Sequence, residues 1–416
     1  MRFFRFYKKF YGGHLKMSKK IFALLIAALM LVSVFSFAGC ESKDSKDDFK
    51  VGFIFLHDEN STYDKNFMDA AKAVQKKLGL KDEQVLFKVN IPESNECYEA
   101  AAELVDEGCK LVFADSFGHE GFIAQAAEEF KDVQFCHATG VSAHTKKLPN
   151  FHNAFASIYQ GRYIAGIAAG MKLNEMIESG KITAENARIG YVGAFDYAEV
   201  VSGMTSFFLG ARSVCPTATM DVTYTNSWFD IALEREAALT LIQNGCVLIS
   251  QHADSEGAPK ACEEKGVPNV AYNVNTTSMG PNTAIISSKI NWAPYFELII
   301  NKTLEGKGNE IPFDWCGGFE EGSVELTELN TKVAAKGTQE AIDKAIADFK
   351  ANKIKVFDTS KFTYQGKVLT EYLADVDGDF KGETNVVHDG YFDESADGKR
   401  SAPYFDLKYI DGINKK

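Results

Sequence analysis

His57-Asp58-Glu59-Asn60-Ser61-Thr62-Tyr63-Asp64 sets an imidazole, carboxylates, hydroxyls and a phenol in consecutive positions. Such a set holds the parts of a nucleophile and its base, but adjacency along the chain is not the geometry of a triad. No GxSxG, GxxxxGK[ST], HExxH or kinase signature occurs. Asp375-Val376-Asp377-Gly378-Asp379 has the acidic alternation of a calcium loop. Phe380 stands where that loop needs glycine and Val386 where it needs a bidentate Glu, so the segment reads as a solvated acidic turn. The chemistry that remains is binding. Five polar-aromatic clusters carry it: Ser61 to Phe67, Asp115 to His119, Thr225 to Asp230, Gln251 to Ser255, and Tyr272 to Asn275. Aromatic rings supply flat stacking faces, and Asp, Asn and His fix orientation by hydrogen bonds. The candidate contacts are Tyr63, Asp64, Phe117, Trp228, Asp230, His252, Asp254 and Asn273, with Trp292 as a further stacking surface. Trp228 could equally be core, Asp230 a helix cap and His252 a structural hydrogen-bonder.

Each cluster follows a short apolar run. Lys50 to Leu56, Val85 to Val89, Leu111 to Ala114 and Val133 to Cys136 read as buried parallel strands. Helical spacing separates them: Phe67, Ala70, Ala71, Val74 and Leu78 before Gly79, then Ala101 to Val105 before Gly108, then Phe122 to Phe130. The alternation restarts with a helix over 158–171, whose Ala165, Gly166, Ala168, Ala169 and Gly170 permit close packing. It continues through strands at 189–192, 220–224, 247–250 and 270–273, and helices at 200–210, 231–241 and 257–265. The pattern predicts an α/β chain of two lobes, each a parallel sheet flanked by helices, with ligand loops at strand C-terminal ends facing a shared cleft. One more helix, 339–350, precedes a loop-rich segment, 358–416, which reads as a peripheral extension.

The 416 residues allow two or three domains at ~150 residues each. Net charge is −12, which would repel phosphate backbones and argues against nucleic acid as a partner. Arg2 to Lys20 is basic, Ile21 to Phe37 apolar, and Phe37-Ala38-Gly39-Cys40 resembles the bacterial lipobox. We therefore expect a signal over 1–39, lipidation of Cys40 and a charged tether reaching residue 49; an uncleaved membrane anchor is the alternative. The protein would then work outside the cytoplasm, anchored to the cell membrane. The true start is Met1 or Met17. Seven cysteines remain without CxxC or zinc spacing and read as buried small hydrophobes; no metal or cofactor is expected.

Between about Phe49 and Lys367 the sequence resembles the basic membrane protein family, the purine-nucleoside-type substrate-binding lipoproteins of ABC importers. The resemblance rests on Ile189-Gly190-Tyr191-Val192, Glu199-Val200 and Gly210-Ala211-Arg212. It extends through Trp228-Phe229-Asp230 followed by Glu234, Ala237, Ala238, Leu241, Ile242 and Gly245, then Gln251 to Ser255, Gly266-Val267 to Tyr272-Asn273, and Asn150 to Gly170. It implies a type I periplasmic-binding-protein (venus flytrap) fold, with lobe 1 formed by 50–153 plus about 276–308 and lobe 2 by 154–275 plus about 309–357. It implies hinges near Asn153 and at Val274 to Thr276. It further implies a monomer that captures a purine base or nucleoside without turnover and hands it to an ABC permease. The nucleoside-binding branch has an aspartate-rich strand end for ribose; Asn273-Val274-Asn275 lacks it, and the His252/Asp254 pattern is more similar to a branch that takes free bases. A membrane-tethered sensor and a secreted nucleoside hydrolase are the other readings.

Overall fold

Val51–Ile54 (β1) is wholly buried, as an unbroken apolar run in a parallel strand should be. Helix α1, Thr62–Leu78, follows it. Ser61 caps α1 by accepting from the Asp64 amide, Gly79 ends it in the left-handed conformation at φ 64°, and Phe67, Met68, Ala71 and Val74 form the face that packs on the sheet. The chain continues through β2 (Val85–Lys88), α2 (Asn95–Asp106), β3 (Leu111–Ala114), α3 (Glu120–Glu129), β4 (Gln134–Ala138), the one-turn α4 (Ala143–Lys146) and β5 (Phe151–Ala156). The second series is α5 (Tyr159–Glu178), β6 (Arg188–Gly193), α6 (Ala198–Val214), β7 (Thr219–Tyr224), α7 (Ile231–Gln243), β8 (Leu248–His252), α8 (Gly257–Lys265), β9 (Asn269–Tyr272) and β10 (Ala284–Ile290). Then come α9 (Ala293–Leu304), β11 (Asp314–Gly317), β12 (Val324–Leu326), α10 (Thr338–Lys350) and a C-terminal strand, Ile413–Lys415. The computed structural model describes residues 46–376, 381–395 and 400–416. The expected signal, Cys40 and the residues Asp377 to Phe380 of the acidic turn lie outside them.

Two sheets result. The first has the order β11-β5-β4-β3-β1-β2 and is parallel throughout. The second is β12-β10-β9-β8-β6-β7 followed by the C-terminal strand, with only β12 antiparallel. Both place their first strand between the second and third, so each has a topological switch point, β1/β3 in one and β6/β8 in the other.

Several boundaries differ from expectation. Asn153 lies inside β5, and Val274 to Thr276 in a loop of the second lobe. The chain instead crosses between sheets at Ser157-Ile158, at Asn291-Trp292 and over 318–323. The Ser157 amide donates to Gly317 O at 2.8 Å and the Asn291 amide to Ser323 O at 2.8 Å, which ties the crossings together. Thus β10 belongs to the second sheet, α9 packs Phe296 on Phe53 and Phe113 of the first, and β11 completes the first.

Both ends of the folded chain are better integrated than their composition implies. Phe49 is buried, and Gln84 Nε2 donates to Lys46 O and Phe49 O at 2.7 Å, so the last residues of the expected tether are docked. The segment 358–416 is not peripheral. Phe357, Phe392 and Phe405 form a buried aromatic cluster with ring centroids 4.3–6.5 Å apart, and the C-terminal strand pairs with β7. The seven described cysteines are unbridged and all but Cys316 are buried. Burial pushes the thiols of Cys109, Cys136 and Cys246 up to about 12, so they are poor nucleophiles. No helix among the described residues is long and apolar enough to cross a membrane.

Candidate functional site: an interlobe cavity

The loops at the two switch points meet. Leu56, His57, Tyr63 and Asp64 after β1, Ser116 and Phe117 after β3, and Thr139 after β4 form one wall of a narrow cavity. Glu199 after β6, Trp228 after β7, and His252 and Asp254 at the end of β8 form the other. The lobes touch around it: the Thr62 amide donates to Asp254 O at 2.8 Å, and His57 and Phe229 rings lie 5.4 Å apart. Phe117 and Tyr197, each about two-fifths exposed, meet across the mouth at 5.7 Å.

Of the nine expected contacts, Tyr63, Asp64, Phe117, Trp228, His252 and Asp254 lie on this wall. Three do not. Asp230 caps α7, accepting from the Ala232 and Leu233 amides at 2.9 Å; a carboxylate one residue before a helix satisfies free N–H groups. Trp292 is buried in the first lobe's core, stacked on Phe67 at 4.3 Å, because the short crossing before α9 turns it inward. Asn273 stands behind the wall at φ 68° and donates through Nδ2 to Asp254 Oδ1 at 3.3 Å. It orients a candidate contact.

The carboxyls differ in state. Burial raises Asp64, but hydrogen bonds from His57 and Ser61 outweigh it and hold the group below the usual carboxylate range. Its Oδ1 accepts from the His57 amide at 2.8 Å and its Oδ2 from Ser61 Oγ at 2.5 Å. Asp115, just behind, accepts from the Leu56 amide at 3.1 Å, and burial and then the Asp64 charge push its carboxyl well up. Burial likewise raises Asp254, with Glu234 and Asp64 adding to it. The first wall therefore holds a carboxyl whose ionised form its hydrogen bonds favour, and the second one whose ionised form burial disfavours.

The clusters miss Leu56, His57, Thr139 and Glu199, and Glu199 is the carboxyl among them. It lies in the first turn of α6 with Oε1 3.8 Å from His252 Nε2. Burial pushes its carboxyl up to about 8. Burial, and then the charge of Arg162, hold His252 neutral. Arg162 is fully buried, bonded through Nη2 to Tyr191 Oη at 2.5 Å and Gln251 O at 2.7 Å, and lies 4.3 Å over the Tyr272 ring. The available signal was position: Glu199 follows the first strand of the second sheet, where switch-point loops bind ligands.

The raised Glu199 pKa has a stability consequence. The unfolded chain releases this proton near the ordinary value of 4.5, and the fold keeps it until about 8. The native state then binds more protons across that window, so this group makes stability fall as pH rises from about 4.5 to 8. Glu199→Gln removes the effect. Its melting temperature relative to the parent should rise from pH 4.5 to pH 8; a constant difference would contradict the assignment.

Residues 54–356 match the Bmp family, described as ABC transporter substrate-binding protein PnrA-like. A purine-binding protein of Brucella abortus is 29% identical over 347 residues, covering 82% of this chain and 93% of the relative. A putative ABC transporter glucose-binding protein of Haloferax volcanii is 32% identical over 275 residues, covering 65% of this chain and 66% of the relative. The fold is similar to that of an ABC transporter solute-binding protein from Conexibacter woesei, with TM-score 0.58 and 19% identity over 74% of this chain and 97% of that one. The chain belongs to the Bmp family of ABC transporter substrate-binding proteins, which bind a substrate and do not turn it over.

Proposed function

We propose that this protein captures a purine base or nucleoside outside the cell membrane and passes it to an ABC importer. The observation that carries the reading is the wall of the interlobe cavity. It combines the stacking faces of Phe117 and Trp228 with the hydrogen-bonding groups of Asp64, Glu199, His252 and Asp254. A planar heterocycle with donors and acceptors on its edge satisfies both. The purine named for the Brucella relative agrees with this chemistry. A phosphate does not suit the site. Lys65, the nearest cation in the loop sequence, pairs with Asp69 at 2.8 Å on the exposed face of α1. Arg162 does not line the cavity and is fully buried behind it, with Nη2 bonded to Tyr191 and Gln251. A nucleotide would therefore meet Asp64 without a compensating cation.

Attachment through a lipid on Cys40 accords with the lipobox and the polar segment after it; Cys40→Ala should abolish fatty-acid labelling. One observation favours a second ligand class: the Haloferax relative is named for glucose. Mass spectrometry of small molecules released by denaturing natively purified protein separates the two. A purine at near-stoichiometric amount supports the first reading, and a hexose overturns it.

A further inference from the structure

The C-terminal segment attaches to both lobes within a few residues. Ser401 is buried against the first lobe: its amide donates to Asp314 Oδ1 at 2.9 Å and its Oγ to Gly140 O at 2.7 Å. Asp314 also accepts from His144, whose Nε2 bonds Val376 O at 2.8 Å. By Lys408 the chain is on the second lobe, paired with Asp196 at 2.7 Å. Beyond it Arg212 Nη1 donates to Asp411 O at 3.1 Å, and the C-terminal strand pairs with β7. Glu394 bonds Ser202 on α6, one turn beyond Glu199. Between the two anchorages Phe405 stacks on Phe357 at 4.3 Å, and Phe357 lies 5.4 Å from Tyr159, next to the first crossing. Gly140 follows Thr139 of the cavity wall. The segment lies beyond the residues that match the family.

We propose that residues 401–408, which run from the first lobe to the second, form a strap that must release from the first lobe before the cleft opens. The three covalent crossings act as a hinge. The strap adds a non-covalent tie whose strength sets how often the cavity opens, and hence how fast ligand exchanges. The inference does not depend on what the ligand is.

Hydrogen exchange on the ligand-free full chain tests it. The Thr62 amide bonds across the cleft and reports opening; the Ser401 amide reports strap release. In the parent the two should exchange, corrected for intrinsic rates, within about threefold of each other. In Asp314→Ala/Ser401→Ala, which removes the two hydrogen bonds that Ser401 donates, Thr62 should exchange about tenfold faster or more, since a net hydrogen bond of ~1 kcal/mol is a factor of about five. Amides of β3 should be unaffected. A folded double variant with unchanged Thr62 exchange overturns the proposal. So does a parent protein whose Thr62 exchanges about a hundredfold faster than Ser401, because the cleft would then open with the strap still tied; that arm holds even if the double variant fails to fold.

Discussion

Trp228→Ala should weaken binding of the proposed purine ligand by about ten- to a hundredfold while leaving the melting temperature nearly unchanged. Stacking on an aromatic face is worth ~1–3 kcal/mol per base, and ~1.4 kcal/mol is tenfold. Trp228 is half-buried and rests edge-on against Phe195 at 4.9 Å, with Tyr197 at 6.1 Å. Those rings lie at the cavity mouth and not in a lobe core, so truncation removes a wall without opening a packed interior. Calorimetric titration and thermal melting on the same sample decide the matter. A large fall in melting temperature with affinity retained would make Trp228 structural and remove it from the site.

Gly210→Ala should cost about 3 kcal/mol of stability or more, a large effect for one methyl group. Helices α5 and α6 approach so closely that a Cβ at Gly210 would lie 2.0 Å from Tyr163 O, and one at Gly166 2.0 Å from Phe207 O. Both neighbours are backbone, so no side chain can swing away and the helices must part. Gly121→Ala is the control. It lies in α3 with nothing within 4 Å of the added carbon, so the change should be neutral or slightly stabilising. Equal melting of the Gly210 variant and the parent would contradict this account of the α5–α6 contact.

The small-residue run from Ala165 to Gly170 announced that contact, because few other purposes require such residues at helical spacing. The strands β1 and β3 were equally legible, being buried on both faces and continuously apolar, and shorter apolar runs marked β4, β6 and β8. The strand β5 was not. His152 and Asn153 interrupt it, and their burial is satisfied only by distant partners: Gln134 Oε1 at 3.0 Å for His152 and the Ala143 amide at 2.8 Å for Asn153. The crossings carry no composition shift, and the hinges that the resemblance implied, near Asn153 and at Val274 to Thr276, fall in β5 and in a loop of the second lobe. The strap was misread for a related reason. Tyr391-Phe392, Tyr404-Phe405 and Tyr409-Ile410 are isolated apolar pairs among Asp, Gly and Lys, without the period that marks a helix or strand.

The site divides along the same line. Strand-end position brought Tyr63, Asp64, Phe117, Trp228, His252 and Asp254 to one cavity wall, because the topology carries those loops to one place. Residue type alone found Trp292, and type alone does not tell a stacking platform from a core tryptophan. Glu199 escaped because a single acid in a helix's first turn is what any helix favours; only its place after β6 distinguishes it.

The central claim, a purine held between the lobes without a phosphate, is tested most directly by calorimetric titration with adenine, guanine, adenosine, guanosine, AMP and glucose. The account predicts that at least one base or nucleoside binds, and more tightly than both AMP and glucose. Tighter binding of AMP than of every base and nucleoside, or binding of glucose with silence from all five purine compounds, would contradict it.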